Sequence, residues 1–141
     1  MAPEGSGRKR RLSDDDFRRL AQFRYALRRF FQFSERAAGE LGVTGQQYQA
    51  LLAVRGFPSR SRVTVGELAE RLCIRHHSAV GLVDRLVERG LARRAASHRD
   101  RRQVFVEVTA QGERVLEELA GIHRAELKRI RPELRAIVES E

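Results

Sequence analysis

A chain of 141 residues is the size of one domain, long enough to enclose a core and too short for two generous ones. Its 28 Lys and Arg against 19 Asp and Glu leave a formal net charge of +9, which suits a polyanionic partner or plain solubility until the location of the charge decides between them. A single cysteine, Cys73, excludes an intramolecular disulfide and fits a reducing compartment; no apolar run is long enough to span a bilayer and the opening M-A-P-E-G-S-G-R-K-R-R lacks a secretion signal, so a cytoplasmic protein with no membrane partner is expected.

Residues 1–12 mix Gly, Pro and Ser with Arg8, Lys9, Arg10 and Arg11, a composition expected to form a disordered basic arm. From Ser13 the pattern becomes helical. Ser13 can cap, Asp14 to Asp16 suit the positive end of a helix dipole, and Leu12 with Phe17 can staple the entry. Phe17, Leu20, Phe23, Leu27, Phe30 and Phe31 then recur at three- and four-residue intervals, predicting one long amphipathic helix that ends near Gly39 or Gly42. Thr44 with Gln47, and Val43 with Tyr48, open a second helix carrying Leu51, Leu52 and Val54 toward Gly56 and Pro58. The segment F-P-S-R-S-R reads as a loop.

Thr64 and Glu67 make a further capping box, predicting a helix over 65–72 with Leu68, Ala69 and Leu72 inward. After a turn over 73–75, where Cys73 between Leu72 and Ile74 reads as an inert core hydrophobe, the next helix runs to about Arg89. It turns Val80, Val83, Leu86 and Val87 inward and stops at Gly90. Residues 91–95 and 103–108 read as two strands, the second alternating Val104, Val106 and Val108 against Phe105 and Glu107, around a polar tip. Thr109 opens a helix that reaches Pro132, beyond which Leu134, Ile137 and Val138 predict a short final helix.

Capped helix, second helix and arginine-rich hairpin in succession have the outline of a winged helix-turn-helix. The fold class is therefore mainly α with a small β-hairpin wing, a single domain over 13–141. Residues 43–108 form the winged helix-turn-helix, and residues 13–42 and 109–141 carry more apolar stripe than that lobe can cover. Those stripes are expected to meet a second copy in a homodimer.

Between Arg71 and Arg102 stand nine arginines and three acids, so about two-thirds of the net charge lies in this one segment. A helix in the major groove reads bases with its first turns, which nominates His76, His77, Ser78 and Gly81 for the groove and Arg75 and Arg85 for phosphates. Gly81 supplies no reading side chain but permits close approach. Arg99, Arg101 and Arg102 at the hairpin tip are candidates for DNA, with Arg99 or Arg101 best placed to enter a minor groove. A solvated, charge-protected strand edge is the alternative, but such an edge needs fewer charges than the five arginines of this hairpin.

Other chemistry finds little support. His76 and His77 diverge by about 100° on a helix and cannot readily clasp one metal, so neither a metal nor another cofactor is expected. Ser97, His98 and Asp100 hold the letters of a hydrolase triad but crowd one tight turn without an oxyanion cradle, and no enzyme is expected. The aromatic residues Phe23, Phe30, Phe31 and Tyr48, with Tyr25 and Phe33 nearby, could line a pocket for a planar ligand or simply serve as core.

The succession L-G-V-T-G-Q-Q-Y, V-G-E-L-A-E-R-L, H-S-A-V-G-L-V-D-R-L-V-E-R-G-L, D-R-R and V-T-A-Q-G resembles the MarR family of bacterial transcription regulators over roughly residues 13–141. The resemblance implies a two-fold dimer built from the terminal helices, with two winged lobes on a pseudo-palindromic operator in double-stranded DNA. It also implies a repressor relieved by a small, often aromatic, effector bound between the dimer helices and the lobe. It assigns Asp100 and Arg102, an aspartate two residues before an arginine, to tying the wing into shape, with Asp100 holding an arginine and not touching DNA. Peroxide-sensing members place a cysteine in the first helix and urate-responsive members a tryptophan there; this chain has neither. The competing function is a basic architectural or RNA-binding protein that coats nucleic acid without an operator and senses no ligand.

Overall fold

The computed structural model describes residues 11–97, 99–100 and 102–139. The expected arm thus lies almost wholly outside the described residues, as do His98 and Arg101. Helix α1 (Asp14–Glu40) begins at a reciprocal box, in which the Asp16 N–H donates to Ser13 Oγ at 3.2 Å and the Ser13 N–H to Asp16 Oδ2 at 2.8 Å. It ends ahead of Gly42, whose φ of +77° only glycine adopts without strain. Helix α2 (Gly45–Arg55) carries the same device at Thr44 and Gln47. Tyr48, Leu51 and Val54 face the core at three-residue spacing, which turns Leu52, expected inward, to the exposed side.

The loop before the third helix contains an unforeseen strand, β1 (Arg62–Val63). Two residues are too few to display a period, so only pairing reveals it. Helix α3 (Val65–Leu72) follows its Thr64–Glu67 box and closes at Cys73 in the left-handed region, φ 54°. The chain reverses there, so Cys73 is exposed and is not the core residue expected, while Ile74 takes the packed position. Helix α4 (His76–Glu88) buries Ala79, Leu82, Val83 and Leu86; Val80 and Val87, expected inward, lie at the margin of that face.

Strands β2 (Ala92–Ala96) and β3 (Val104–Val108) form the hairpin, with β1 on the other side of β3, all antiparallel. In register, Val63 stands opposite Val106 and Arg94 opposite Val106 on the second side. The expected inward run of β3 holds at Val106 but not at Val104, which is exposed. Phe105, on the opposite face, is buried because Arg60 and Arg62 lie over its ring.

Helix α5 (Ala110–Glu139) is unbroken, and the separate final helix expected after Pro132 does not exist. A proline removes one helical N–H and presses on the carbonyl four residues back. Here that carbonyl belongs to Lys128, an exposed residue where water can serve it, and the turn beyond Pro132 is held to α1 by Gln22 donating to Glu133 Oε1 at 3.2 Å. The core centres on α2, where Leu51 and Val54 meet Val63, Leu68, Leu82, Leu86, Val106 and Leu119. Away from it, α1 presents Phe17 and Leu20 to solvent, 58% and 57% exposed, and α5 presents Leu127 and Val138.

Candidate nucleic-acid interface

The first turn of α4 stands clear of the protein. His76, His77 and Ser78 are exposed, and Arg75, the residue before the helix, makes no side-chain cap, so the leading N–H groups of α4 have no side-chain acceptor of their own. Gly81 is half-buried, and a Cβ built there would meet Arg85 Nη1 at 3.4 Å. The missing side chain thus gives the Arg85 guanidinium room to lie along the helix.

The arginines of this segment divide into two groups. Arg71 lies 5.0 Å from the centroid of Phe57, Arg89 donates to Gln47 Oε1 at 3.3 Å, Arg93 pairs with Glu107 at 2.8 Å, and Arg94 pairs with Asp84. Arg75, Arg85, Arg99 and Arg102 are exposed and have no side-chain ion pair or hydrogen bond among the described residues. Two of the five hairpin arginines counted from the sequence are therefore engaged inside the chain, a distinction that composition does not make.

The wing tip is built by backbone bonds to small polar side chains. Ser97 Oγ accepts from the N–H groups of Arg99 and Asp100 at 3.2 and 3.4 Å, and the Gln103 N–H donates to the Asp100 carbonyl at 3.1 Å. Asp100 Oδ1 accepts from the backbone N–H of Arg102 at 3.0 Å. Asp100 therefore holds the turn through the main chain of Arg102, which leaves that guanidinium outward.

Beside α3, Arg60 lies over both Phe57 and Phe105 and pairs with Glu67. Burial alone would push the Glu67 carboxyl up, but hydrogen bonds from Thr64 and the charge of Arg60 outweigh it and hold the group below its ordinary value. Sequence reading missed this arginine-aromatic cluster, because its members come from the loop, α3 and β3 and share no spacing.

The four aromatic residues assigned to a pocket do not converge. Phe23 and Phe31 are exposed, whereas Tyr48 is buried, its hydroxyl pKa raised by that burial, and stacked on His123 at 4.4 Å. Phe30 instead joins Phe33, Arg29, Arg36, Glu126 and Arg129 around a cleft of about 130 Å³ between α1 and α5. Glu126 is held below its usual value by hydrogen bonds from Arg129. Among the described residues no three His, Cys, Asp or Glu are grouped to hold a metal, and no helix is long and apolar enough to cross a membrane.

A model of the MarR family matches residues 41–103, the span from the end of α1 through α4 to the wing tip. Over that stretch the chain is similar to the MarR family. It is 29% identical over 80 residues to the HTH-type transcriptional regulator FarR of Neisseria gonorrhoeae, a match covering 57% of this chain and 53%, about half, of that relative. Its fold is that of AbsC, a MarR family transcriptional regulator from Streptomyces coelicolor, with a TM-score of 0.73, 22% identity, and coverage of 89% of this chain and 84% of that one. A mutant MepR from S. aureus, solved bound to an oligodeoxyribonucleotide, is similar in fold at a TM-score of 0.65 and 18% identity, over 79% of this chain and 80% of that one. The MarR match thus falls on the elements that carry the unpaired arginines.

Proposed function

We propose that this protein is a sequence-specific, dimeric regulator of transcription that binds a pseudo-palindromic operator in double-stranded DNA and represses until a small, aromatic effector releases it. The observation that carries the reading is the separation of the arginines: Arg75 and Arg85 on α4 and Arg99 and Arg102 on the wing keep free guanidiniums on one stretch of chain, while their neighbours are engaged internally. In this reading His76, His77, Ser78 and Gly81 meet the major groove, Arg75 and Arg85 meet phosphates, and Arg99, Arg101 and Arg102 approach the minor groove. Asp100 keeps the tip in shape. The DNA-bound MepR structure supports the same mode of use for this fold.

The dimer rests on the apolar residues of α1 and α5, among them Phe17, Leu20, Phe31 and Val138, which the single chain leaves uncovered. Residues 13–42 and 109–141 would then serve dimerisation and residues 43–108 DNA. The effector is placed in the cleft between α1 and α5 that Phe30 lines; of the other aromatic residues expected there, Phe23 and Phe31 are exposed and Tyr48 is buried against His123, so they do not line it.

Footprinting on DNA upstream of its own gene tests the reading. Protection of two half-sites about one helical turn apart is expected, with affinity about 10³-fold or more above bulk DNA. Uniform coverage would favour an architectural or RNA-binding protein, and a chain that sediments as a monomer at micromolar concentration would remove the two-fold operator.

A further inference from the structure

We propose that the ion pair between Asp84 and Arg94 is the positioning contact that sets the wing against α4, and with it the spacing between helix and hairpin contacts on a duplex. The inference rests on the DNA-binding reading above for its use, though the geometry itself is a property of the free protein. Consecutive arginines on β2 leave the sheet on opposite faces. Arg93 stands opposite Glu107 and pairs with it, a contact wholly inside the sheet that cannot fix the angle of the hairpin. Arg94 stands opposite the buried Val106, so its side chain emerges on the face against which α4 packs, and there it meets Asp84. Among the described residues this is the ion pair that crosses from hairpin to helix.

Both partners are partly exposed, with side-chain accessibilities of 57% for Asp84 and 37% for Arg94. So exposed a pair contributes little to stability. Its location gives it another use. Asp84 directly precedes Arg85 on α4, where an uncompensated carboxylate would repel the phosphates that Arg85 is placed to meet; Arg94 neutralises that charge and is held by it. Leu91 and Ala92 are buried and β3 is paired to β1, so the core fixes the base of the hairpin; the pair acts on the part beyond it, where a tip free to move would lose a fixed distance to the first turn of α4, and a fixed distance is what two neighbouring grooves require.

The test measures that distance directly. In the full chain carrying Cys73→Ser, with spin labels at Glu88→Cys on α4 and Gln103→Cys on the wing, pulsed electron resonance should give one narrow distance. Adding Asp84→Asn should broaden it, and reversing the pair with Asp84→Arg and Arg94→Asp together should narrow it again. On an operator fragment, unlabelled Asp84→Asn should keep the protection due to α4 and lose that due to the wing. Its affinity should fall about ten-fold and the slope of log affinity against log salt should become shallower by about one unit. A distribution that stays narrow in Asp84→Asn, or one that the reversed pair fails to restore, overturns the proposal. A parent chain that selects no DNA fragment would instead overturn the reading in which the contact is used, and the distances would still decide the contact.

Discussion

His123 of α5 and Ser34 of α1 share a buried hydrogen bond of 2.8 Å that joins the two long helices within the core. The other ring nitrogen, Nδ1, lies 2.7 Å from the Leu119 carbonyl. A carbonyl only accepts, so Nδ1 carries the proton and, in the neutral ring, the Ser34 hydroxyl donates to Nε2. Tyr48 of α2 stacks on one face of the imidazole while Phe30 and Phe33 meet it edge-on. One side chain thus ties α1, α2 and α5 together, and α2 runs on into the core of the winged lobe.

Ser34→Ala should destabilise the fold by about 1–2 kcal/mol, because it leaves a buried ring nitrogen without its partner. His123→Ala should cost about 3 kcal/mol, since a cavity among Tyr48, Phe30 and Phe33 adds to the lost bonds. The double variant should cost less than the sum. Urea unfolding checks this, and full additivity would mean that the two groups do not interact.

Much of this fold is legible from local signals. The boxes at Thr44 and Thr64 each put an acceptor three residues after a hydroxyl, and the helices begin where those letters say. The joint at His123 is not legible, because its partners lie 4, 75 and 89 positions away and a histidine within an apolar stripe looks like any helix residue. β1 escaped for want of length, and Pro132 misled because a proline stops a helix only where its surroundings do not compensate. At the interface the exposed first turn of α4 could be anticipated from its polar letters. Which arginines are engaged could not, since the partners Asp84 and Glu107 are chosen by sheet register and helix packing.

Gly112 should tolerate no side chain. A Cβ there would lie 2.0 Å from the Leu91 carbonyl oxygen and 2.8 Å from Val108 Cγ1, and backbone cannot step aside as a flexible side chain does. Thr109 fixes this crossing by donating to the Gly90 carbonyl at 2.6 Å and accepting from the Gly112 N–H at 3.0 Å. Gly112→Ala should therefore cost about 3 kcal/mol. Gly121→Ala, further along α5 with nothing within 4 Å of its Cβ position, should gain about 0.5–1 kcal/mol from helix propensity. Thermal melts that rank the two variants the other way would refute the close approach.

Glu67 should make α3 acid-sensitive. Its carboxyl is held below the ordinary value in the fold, so its contribution to stability is complete above the unfolded carboxylate pKa of about 4.3 and is lost as pH falls through the lower folded value. Glu67→Gln keeps an oxygen to accept from the Thr64 N–H but carries no charge for Arg60. Between pH 5 and pH 3, about the window in which such a carboxylate takes up its proton, the parent should lose more stability than the variant. Parallel losses in both would show that the charge of Glu67 contributes nothing to the fold.

The division of the arginines makes a sharper demand than their number. Each phosphate contact releases counterions and adds about 0.9 to the magnitude of the slope of log affinity against log salt. Arg99 is exposed at the wing tip without an internal partner, so Arg99→Gln should weaken operator binding and flatten the slope by about one unit. Arg93 is equally basic and on the same hairpin, yet its guanidinium is joined to Glu107 by contacts of 2.8 and 2.9 Å. Arg93→Gln should leave the slope within about a third of a unit of the parent, and any loss of affinity should then be the same at every salt concentration. Equal flattening by both substitutions would mean that Arg93 leaves Glu107 to meet a phosphate, and that the charge of the segment acts as a diffuse cloud without the division into free and engaged groups on which the DNA-binding reading depends.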